Sequence, residues 1–471
     1  MNTAFQELMA VRNRPDNAVA DITGADPVFS TRFKVAETGA GVLGAIGVAV
    51  SDIWEMKTGR RQTTGIDVRH AGAAINSFAY LQNGLGGSGN GGYETVPDSP
   101  AAQVGYAISQ PFPTKDGRWF QPHFGIAHLK DRMLGVLKCE ATPESIGAAI
   151  RNWNAQELED AIAEARACGG MVRENSEWLA HPHGQALSAQ PVVEIERIGD
   201  SAPEPLPSYG PPLAGVRVLD LTRILAGPVA ARTLSEHGAD VLMVAAKGMP
   251  QIKKFVIDLS HGKRSCYLDL NEADQATQLR ELVRTGDVFS QGFRPGVLAA
   301  RGFGPEELAA LRPGLIYTSI NCYGQHGPLQ DRAGWEQVAQ AMVGISHENG
   351  HGNGQDHPEL LPVPACDYIT GYLGAYGTLL ALARRAVEGG SYHVKVSLCQ
   401  TGMFLYRQGR VDYGAENMGL SEAEALPLQM TAESTYGPIR HLAPVIKFSE
   451  TTPHWSSPPP ALGGDAPAWL G

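Results

Sequence analysis

One carboxylate stands where a folded chain could use it as a nucleophile. In Leu361-Pro362-Val363-Pro364-Ala365-Cys366-Asp367-Tyr368-Ile369-Thr370-Gly371, Asp367 follows two prolines and precedes a small-residue helix predicted from about Tyr372 to Arg385. A proline fixes its own φ and keeps the residue before it out of the helical region, so the approach is extended. Asp367 and Thr370 then fall in the first helical turn, where unpaired backbone N–H groups and the helix dipole favour an ionised carboxylate. Such an aspartate reads as an N-cap or as a nucleophile, and the helix alone does not separate the two. Metal chemistry has no comparable candidate: His347, His351 and His357 lie in a Gly/Asn-rich loop and are expected to be exposed rather than ligating. The glycine-rich run from Asn83 to Gly92 reads as a surface linker or as a lid over a site.

The chain that must position this aspartate has 471 residues, enough for two or three domains with proper cores. The formal charge of −11 argues against nucleic acid or an acidic membrane surface as partner. Apolar runs such as Gly39 to Val50 are read as too short to span a membrane, and Met1 to Ala20 carries no apolar export core. Six cysteines without a C-x-x-C pair suit reduced thiols and a cytoplasmic location.

From Leu213 the pattern alternates between strands and helices. Strands are predicted at Val216–Leu221, Asp240–Val244, Cys266–Leu270, Asp287–Ser290 and Leu315–Ile320, with helices at Gly227–His237, Glu272–Arg284 and Pro305–Leu311. That alternation means a parallel sheet with right-handed crossovers, an α/β fold. The turn after the first strand, Thr222-Arg223-Ile224-Leu225-Ala226-Gly227-Pro228, lacks G-x-G-x-x-G, so a nicotinamide or flavin dinucleotide is not indicated. Ahead of a Pro-rich linker, another strand is expected at Gln190–Ile198. The division is an arm at 1–30, a helix-strand-helix half-module at 31–110, a smaller α+β domain at 111–200, a linker at 201–212, the Rossmann-like domain at 213–405 and an extended tail at 406–471 that packs back as an arm. The half-module repeats 368–405: Leu43-Gly44-Ala45-Ile46-Gly47 matches Leu373-Gly374-Ala375-Tyr376-Gly377 at an offset of 373 − 43 = 330. The first copy has Val35 in the corresponding approach and no aspartate.

From Gly215 the chain resembles the class III CoA-transferases, the family of formyl-CoA transferase, carnitine CoA-transferase and α-methylacyl-CoA racemase. The resemblance rests on Gly215 to Pro228, Glu236-His237-Gly238-Ala239-Asp240-Val241, Gly262-Lys263-Arg264-Ser265, Gly292-Phe293-Arg294-Pro295-Gly296, Arg301-Gly302-Phe303-Gly304, Tyr323-Gly324-Gln325-His326-Gly327-Pro328, Trp335-Glu336-Gln337 and Asp367-Tyr368-Ile369-Thr370-Gly371. Residues 33 to about 200, with Asp116-Gly117-Arg118-Trp119 and Ser176-Glu177-Trp178-Leu179, resemble the part that normally follows the nucleophile. The halves therefore stand in an unusual order.

The resemblance implies a Rossmann-like parallel-sheet domain with a second, smaller α+β domain, of the interlocked-dimer type, and so a homodimer. It implies no tightly bound cofactor, with coenzyme A entering as a substrate thioester and a carboxylic acid as its partner. Asp367 matches the catalytic aspartate that carries the acyl group and then CoA. Glu336, Trp335 and Gly324 match positions near the substrate. Leu225, Ala226 and Gly227 match the loop along the pantetheine, and Lys263, Arg264, Arg294 and Arg301 match basic residues toward the nucleotide. In three places the chain departs from the family. Met243 and Ala245 replace a basic residue and a glutamate, the segment from Lys247 to Asp258 is short and unusual, and Trp335 replaces the catalytic histidine of the racemases. An acyl-CoA racemase or isomerase, and a non-catalytic CoA-binding subunit, remain as alternatives.

Overall fold

A computed structural model describes residues 2–14, 18–84, 92–97, 100–414 and 419–470. Most of the glycine-rich run at 84–92, namely 85–91, lies outside the described residues, and with it the lid expected there.

The main sheet has seven strands in the order Lys263–Tyr267, Asp240–Ala245, Arg217–Leu221, Val288–Gln291, Ile316–Asn321, Ser391–Ser397 and Glu194–Gly199. The first six run parallel and the last is antiparallel. Parallel strands covered on both faces read as near-continuous apolar runs, and Val218, Leu219, Val241, Leu242, Val288 and Phe289 are all buried. Four of the five strands predicted after Leu213 lie within one residue of their observed bounds. The other, expected at Cys266–Leu270, begins three residues earlier because Lys263 itself enters the sheet. The segment from Lys247 to Asp258 is no open loop, since a helix runs from Lys253 to Leu259. Glu194–Gly199, which precedes the Pro-rich linker, pairs with Ser391–Ser397 as the edge strand of the same sheet.

The helix carrying Asp367, Ala365–Glu388, is 24 residues long and buried over most of its length. Val35–Thr58 is also 24 residues long, starts 330 residues earlier, and packs against it. The following strands, Thr64–Asp67 and Ser391–Ser397, end 330 apart, and the next helices, Val68–Ala74 and Leu398–Tyr406, start 330 apart. At this offset Glu37, not Val35, stands opposite Asp367 (367 − 330 = 37). Residues 1–30 supply a helix, Thr3–Arg12, and a strand, Asp21–Thr23, that pairs with Thr64–Asp67. The Tyr376 hydroxyl donates to the Leu8 carbonyl at 2.7 Å and ties this N-terminal helix to the Asp367 helix.

Val35–Thr58 has a mean hydropathy of 1.2 over 18 residues and is long and apolar enough to cross a membrane. The expectation from its Gly39–Val50 run is corrected on that point. Its apolar window is 94% buried within the protein, where small residues let neighbouring helices approach.

The segment at 108–171 has its own core around Phe120, Met133, Ile146 and Leu158, under a three-stranded antiparallel sheet. After a hairpin at Gln429–Ser434 and Gly437–Leu442, the tail runs back along the main domain. There the Gly463 N–H donates to Ser265 Oγ at 2.9 Å and the Trp469 indole to the Leu282 carbonyl at 3.1 Å.

Candidate active site

Asp367 is the third residue of its helix, and its neighbours decide what its carboxylate does. A helix opens with N–H groups that have no intrahelical acceptor. Here Glu336, the first residue of the helix Glu336–Met342, supplies that acceptor from another element. Cys366 N–H donates to Glu336 Oε1 at 3.1 Å, and Asp367 N–H donates to Oε2 at 2.5 Å. Gln340 Nε2 donates to Oε1 at 2.7 Å, while Gln340 Oε1 accepts the Leu361 N–H at 2.8 Å. The Pro362–Pro364 approach and the start of the helix are thus fastened to one carboxylate. The Asp367 carboxylate is left without a protein hydrogen-bond donor among the described residues. It is not an N-cap.

Burial, and then the nearby Glu336 charge, raise the Asp367 pKa well above the ordinary aspartate value. Burial likewise lifts Glu336, to about 7, against the lowering effect of its N–H donors. The pair therefore resists carrying two full charges at once.

Two cavities meet at Asp367. The first, about 290 Å³, is lined by Leu225, Ala226, Gly227, Asn321 and Trp335 and by Arg132, Arg166, Arg223, Arg294 and Arg332. Arg332 is paired with Glu159 at 2.9 Å. The other four arginines have no carboxylate partner among the described residues; Arg132, Arg223 and Arg294 donate only to the carbonyls of Arg166, Pro250 and Asp331. A cavity with this much uncompensated positive charge is built for an anion, and planar guanidinium groups suit phosphate. Ala226 and Gly227 also open the helix Ala226–Glu236, whose first N–H groups point outward for an anion. The preceding residue pair is bent sharply. Ile224, a β-branched residue, has φ 74°, a region such residues rarely occupy. The second cavity, about 690 Å³, lies on the other side of Asp367 and Glu336 and is mostly apolar.

The loop and the Asp367 helix are in direct contact. A Cβ on Gly371 would stand 2.3 Å from the Ala226 carbonyl oxygen, and one on Gly227 would stand 2.2 Å from Thr222 Cβ. Gly371 is needed for the close crossing, and Gly227 for the turn of the loop over its own Thr222.

Of the residues singled out from the sequence, Asp367, Glu336, Trp335, Leu225, Ala226, Gly227 and Arg294 come together around the two cavities. The other four do not. Lys263 is 1% exposed and donates to Asp220 Oδ2 at 2.8 Å and to the Pro228 carbonyl at 3.0 Å, so it neutralises a buried carboxylate inside the sheet. Arg264 is held by Asp240 at 2.9 Å and by the Ala468 carbonyl of the tail at 2.6 Å. Arg301 donates to Asn271 Oδ1 at 2.8 Å, away from both cavities. Gly324, at φ +83°, forms a turn whose N–H donates to Asn321 Oδ1 at 2.6 Å, behind the cavity wall. Sequence reasoning missed Arg132, Arg166, Arg223 and Arg332. Arg223 stood in the quoted loop, whereas the other three carry no local signal.

Comparison with known proteins places the chain. Residues 213–431 match the family model CoA-transferase family III. An acyl-CoA transferase of Gibberella moniliformis is 30% identical over 484 residues, covering 89% of this chain and 84% of that protein. An acetyl-coenzyme A transferase of Hypoxylon pulicicidum is 33% identical, over 64% of this chain and 54% of its own length. The human succinyl-CoA:glutarate CoA-transferase is 36% identical over 36% of this chain and 41% of its length. Apart from the Gibberella protein, the chain spans about half the length of these relatives. A crystal structure of Rv3272 from Mycobacterium tuberculosis aligns at 31% identity and TM-score 0.39, over 43% of this chain and 58% of that one. The chain belongs to CoA-transferase family III.

Proposed function

We propose that the protein moves CoA from an acyl-CoA donor to a carboxylic acid, with Asp367 as the covalent carrier. The observation that carries this is the Asp367 carboxylate, unengaged by protein donors and facing a cationic cavity on one side and an apolar one on the other. In the first step an Asp367 oxygen attacks the thioester carbonyl carbon, the C–S bond breaks, and CoA leaves as thiolate from a mixed anhydride. The thiolate then attacks the Asp367 carbonyl carbon, the donor acid departs as carboxylate, and an aspartyl-CoA thioester remains. The acceptor carboxylate attacks that thioester and releases thiolate, which takes the acceptor's acyl group and restores Asp367. No proton is consumed, and each exchange is split into two easier displacements.

The residues around Asp367 suit these steps. Arg132, Arg166, Arg223 and Arg294 would hold the CoA phosphates, in a different place from the expected Lys263 and Arg264. Such a shift accords with Met243 and Ala245, which are buried apolar residues of the sheet. The opening N–H groups at Ala226 and Gly227 would stabilise charge developing on the carbonyl oxygen. A racemase needs a base on each face of the α-carbon, and Trp335 supplies none.

Turnover in the presence of borohydride or hydroxylamine tests the proposal. Mass spectrometry should find Asp367 modified, and Asp367→Ala should abolish exchange of labelled CoA between acyl-CoA and acid. An unmodified Asp367 after turnover would overturn it. Deuterium wash-in at the α-carbon without CoA exchange would establish the racemase instead.

A further inference from the structure

The larger cavity beside Asp367 is distinguished by the chemistry of its walls. Its walls are Phe78, Phe124, Ile252, Phe255, Trp335 and Val363, with uncharged glutamines at 251, 337 and 340. A volume of about 690 Å³ is within the range of small-molecule sites. Phe78 and Phe255 lie 5.0 Å apart between ring centroids, and Trp335 stacks on His123 at 4.5 Å. Flat rings thus face the space from two sides.

Its charges are the second observation. Besides Asp367 and Glu336, the ionisable groups that line the cavity among the described residues are Tyr106, His123 and Lys253. His123 is 5% exposed, and burial holds it in the neutral form, pushed down to about 3. Lys253 is exposed, with its ammonium 5.8 Å from the Tyr436 ring centroid, so it belongs to the rim. A second carboxylate on a bound acid would enter an apolar space that already holds two acidic residues and, among the described residues, is lined by no cation but Lys253 at its rim. Such burial is strongly disfavoured. The arginines lie on the other side of Asp367.

We propose that this cavity binds the body of an apolar monocarboxylic acid, an alkyl chain of several carbons or an aromatic ring, and excludes dicarboxylates. The proposal rests on the transfer reading above for the placement of the reacting carboxylate beside Asp367. The rest comes from the chemistry of the walls.

Two measurements test it. In labelled-CoA exchange with acetate, butyrate, hexanoate and phenylacetate against succinate and glutarate, kcat/KM should rise about fourfold for each methylene added from acetate. Glutarate should fall at least about 100-fold below hexanoate, as expected for an unpaired buried charge. Gln337→Lys, which places a cation inside the cavity, should narrow that gap by about tenfold or more. Equal or faster exchange with glutarate in the wild-type protein would overturn the proposal. Calorimetry on the Asp367→Asn protein with CoA present separates this from the transfer reading, because binding needs no turnover. Hexanoate binding without glutarate binding upholds the cavity assignment even if no exchange occurs with any acid. Glutarate binding as tightly as hexanoate overturns it whatever the exchange assay gives.

Discussion

The backbone N–H of Asp367 donates to Glu336 Oε2 at 2.5 Å, so the group that fixes the position of Asp367 is also the like charge that raises its pKa. The same construction occurs a second time. Glu37 N–H donates to Asp26 Oδ2 at 2.8 Å, and Glu37 stands 330 residues before Asp367. Burial raises Asp26 to about 6, much as it raises Glu336 to about 7. The copies part in what surrounds them. Glu37 is engaged by Lys34 Nζ at 3.0 Å and by the Asp26 N–H at 3.1 Å, whereas Asp367 has no such donor among the described residues and opens on two cavities. Only the second copy leaves its carboxylate available for attack.

The first prediction concerns pH. In the proposed transfer Asp367 attacks only as carboxylate, and its pKa is raised, so the transfer rate should fall with decreasing pH well above the ordinary aspartate range. Glu336→Gln removes the like charge, and the acid limb should move to lower pH; an unmoved limb would show that the Glu336 charge is not responsible. Stability runs the other way. Glu336 binds its proton more tightly in the folded protein, so wild-type stability should decrease as pH rises from about 4.5 to about 7. That decrease should be smaller in Glu336→Gln, measured by denaturant midpoints across the same window.

Lys263 is a structural cation. Removing it as Lys263→Ala leaves the Asp220 carboxylate buried and unpaired, a loss of about 3–5 kcal/mol. Chemical denaturation should show that loss, and the folded fraction should keep the wild-type KM for acyl-CoA. Pairing the change with Asp220→Asn should recover part of the stability. A raised KM without loss of stability would return Lys263 to the phosphates.

Lys263 marks the point at which local pattern stops deciding the structure. Strand-helix alternation predicts the parallel strands and the Pro-Val-Pro approach the turn at Asp367, because these depend on local periodicity and on φ restriction, whereas the helix begins at Ala365 rather than near Tyr372. The resemblance directs Lys263 and Arg264 toward the nucleotide, and the strand is expected only from Cys266, so nothing local marks Lys263 as part of the sheet. Its burial follows from the strand two places along the sheet, Arg217–Leu221, which brings Asp220 within 2.8 Å. Arg132 and Arg166 were illegible for the converse reason: each is an ordinary arginine in the 111–200 segment, and only docking of that segment against the Arg223–Gly227 loop makes them part of a cavity. Glu336 was legible as a neighbour of Asp367, but its service as acceptor for two N–H groups of another helix is purely tertiary.

The arginines lining the smaller cavity should act on binding. Arg223→Gln and Arg294→Gln each remove a cation that has no carboxylate partner among the described residues, and each should raise the KM for acyl-CoA about tenfold or more with kcat little altered. The effect should shrink at high ionic strength, where the wild-type protein itself binds more weakly. Arg301→Gln, outside both cavities, should leave KM unchanged. Steady-state kinetics at two salt concentrations distinguish these outcomes.

The crossing of the Asp367 helix over the loop at Leu225–Gly227 should be visible in kcat. In Gly371→Ala the added methyl would meet the Ala226 carbonyl oxygen at 2.3 Å and Val229 Cβ at 2.7 Å, so backbone must move. Alanine gains about 1 kcal/mol of helix propensity over glycine, yet overpacking of this kind costs about 1–3 kcal/mol. Gly377→Ala, farther along the same helix, is the control: its methyl would meet Val394 Cγ1 at 2.5 Å and Val193 Cγ1 at 2.7 Å, side chains remote from Asp367. Both variants should lose stability in thermal unfolding. Only Gly371→Ala should also lose kcat, on the order of 100-fold for a displacement near 1 Å between Ala226–Gly227 and Asp367. Equal kcat in the two variants would mean that this crossing supports the fold alone, and that the spacing between loop and nucleophile is set elsewhere.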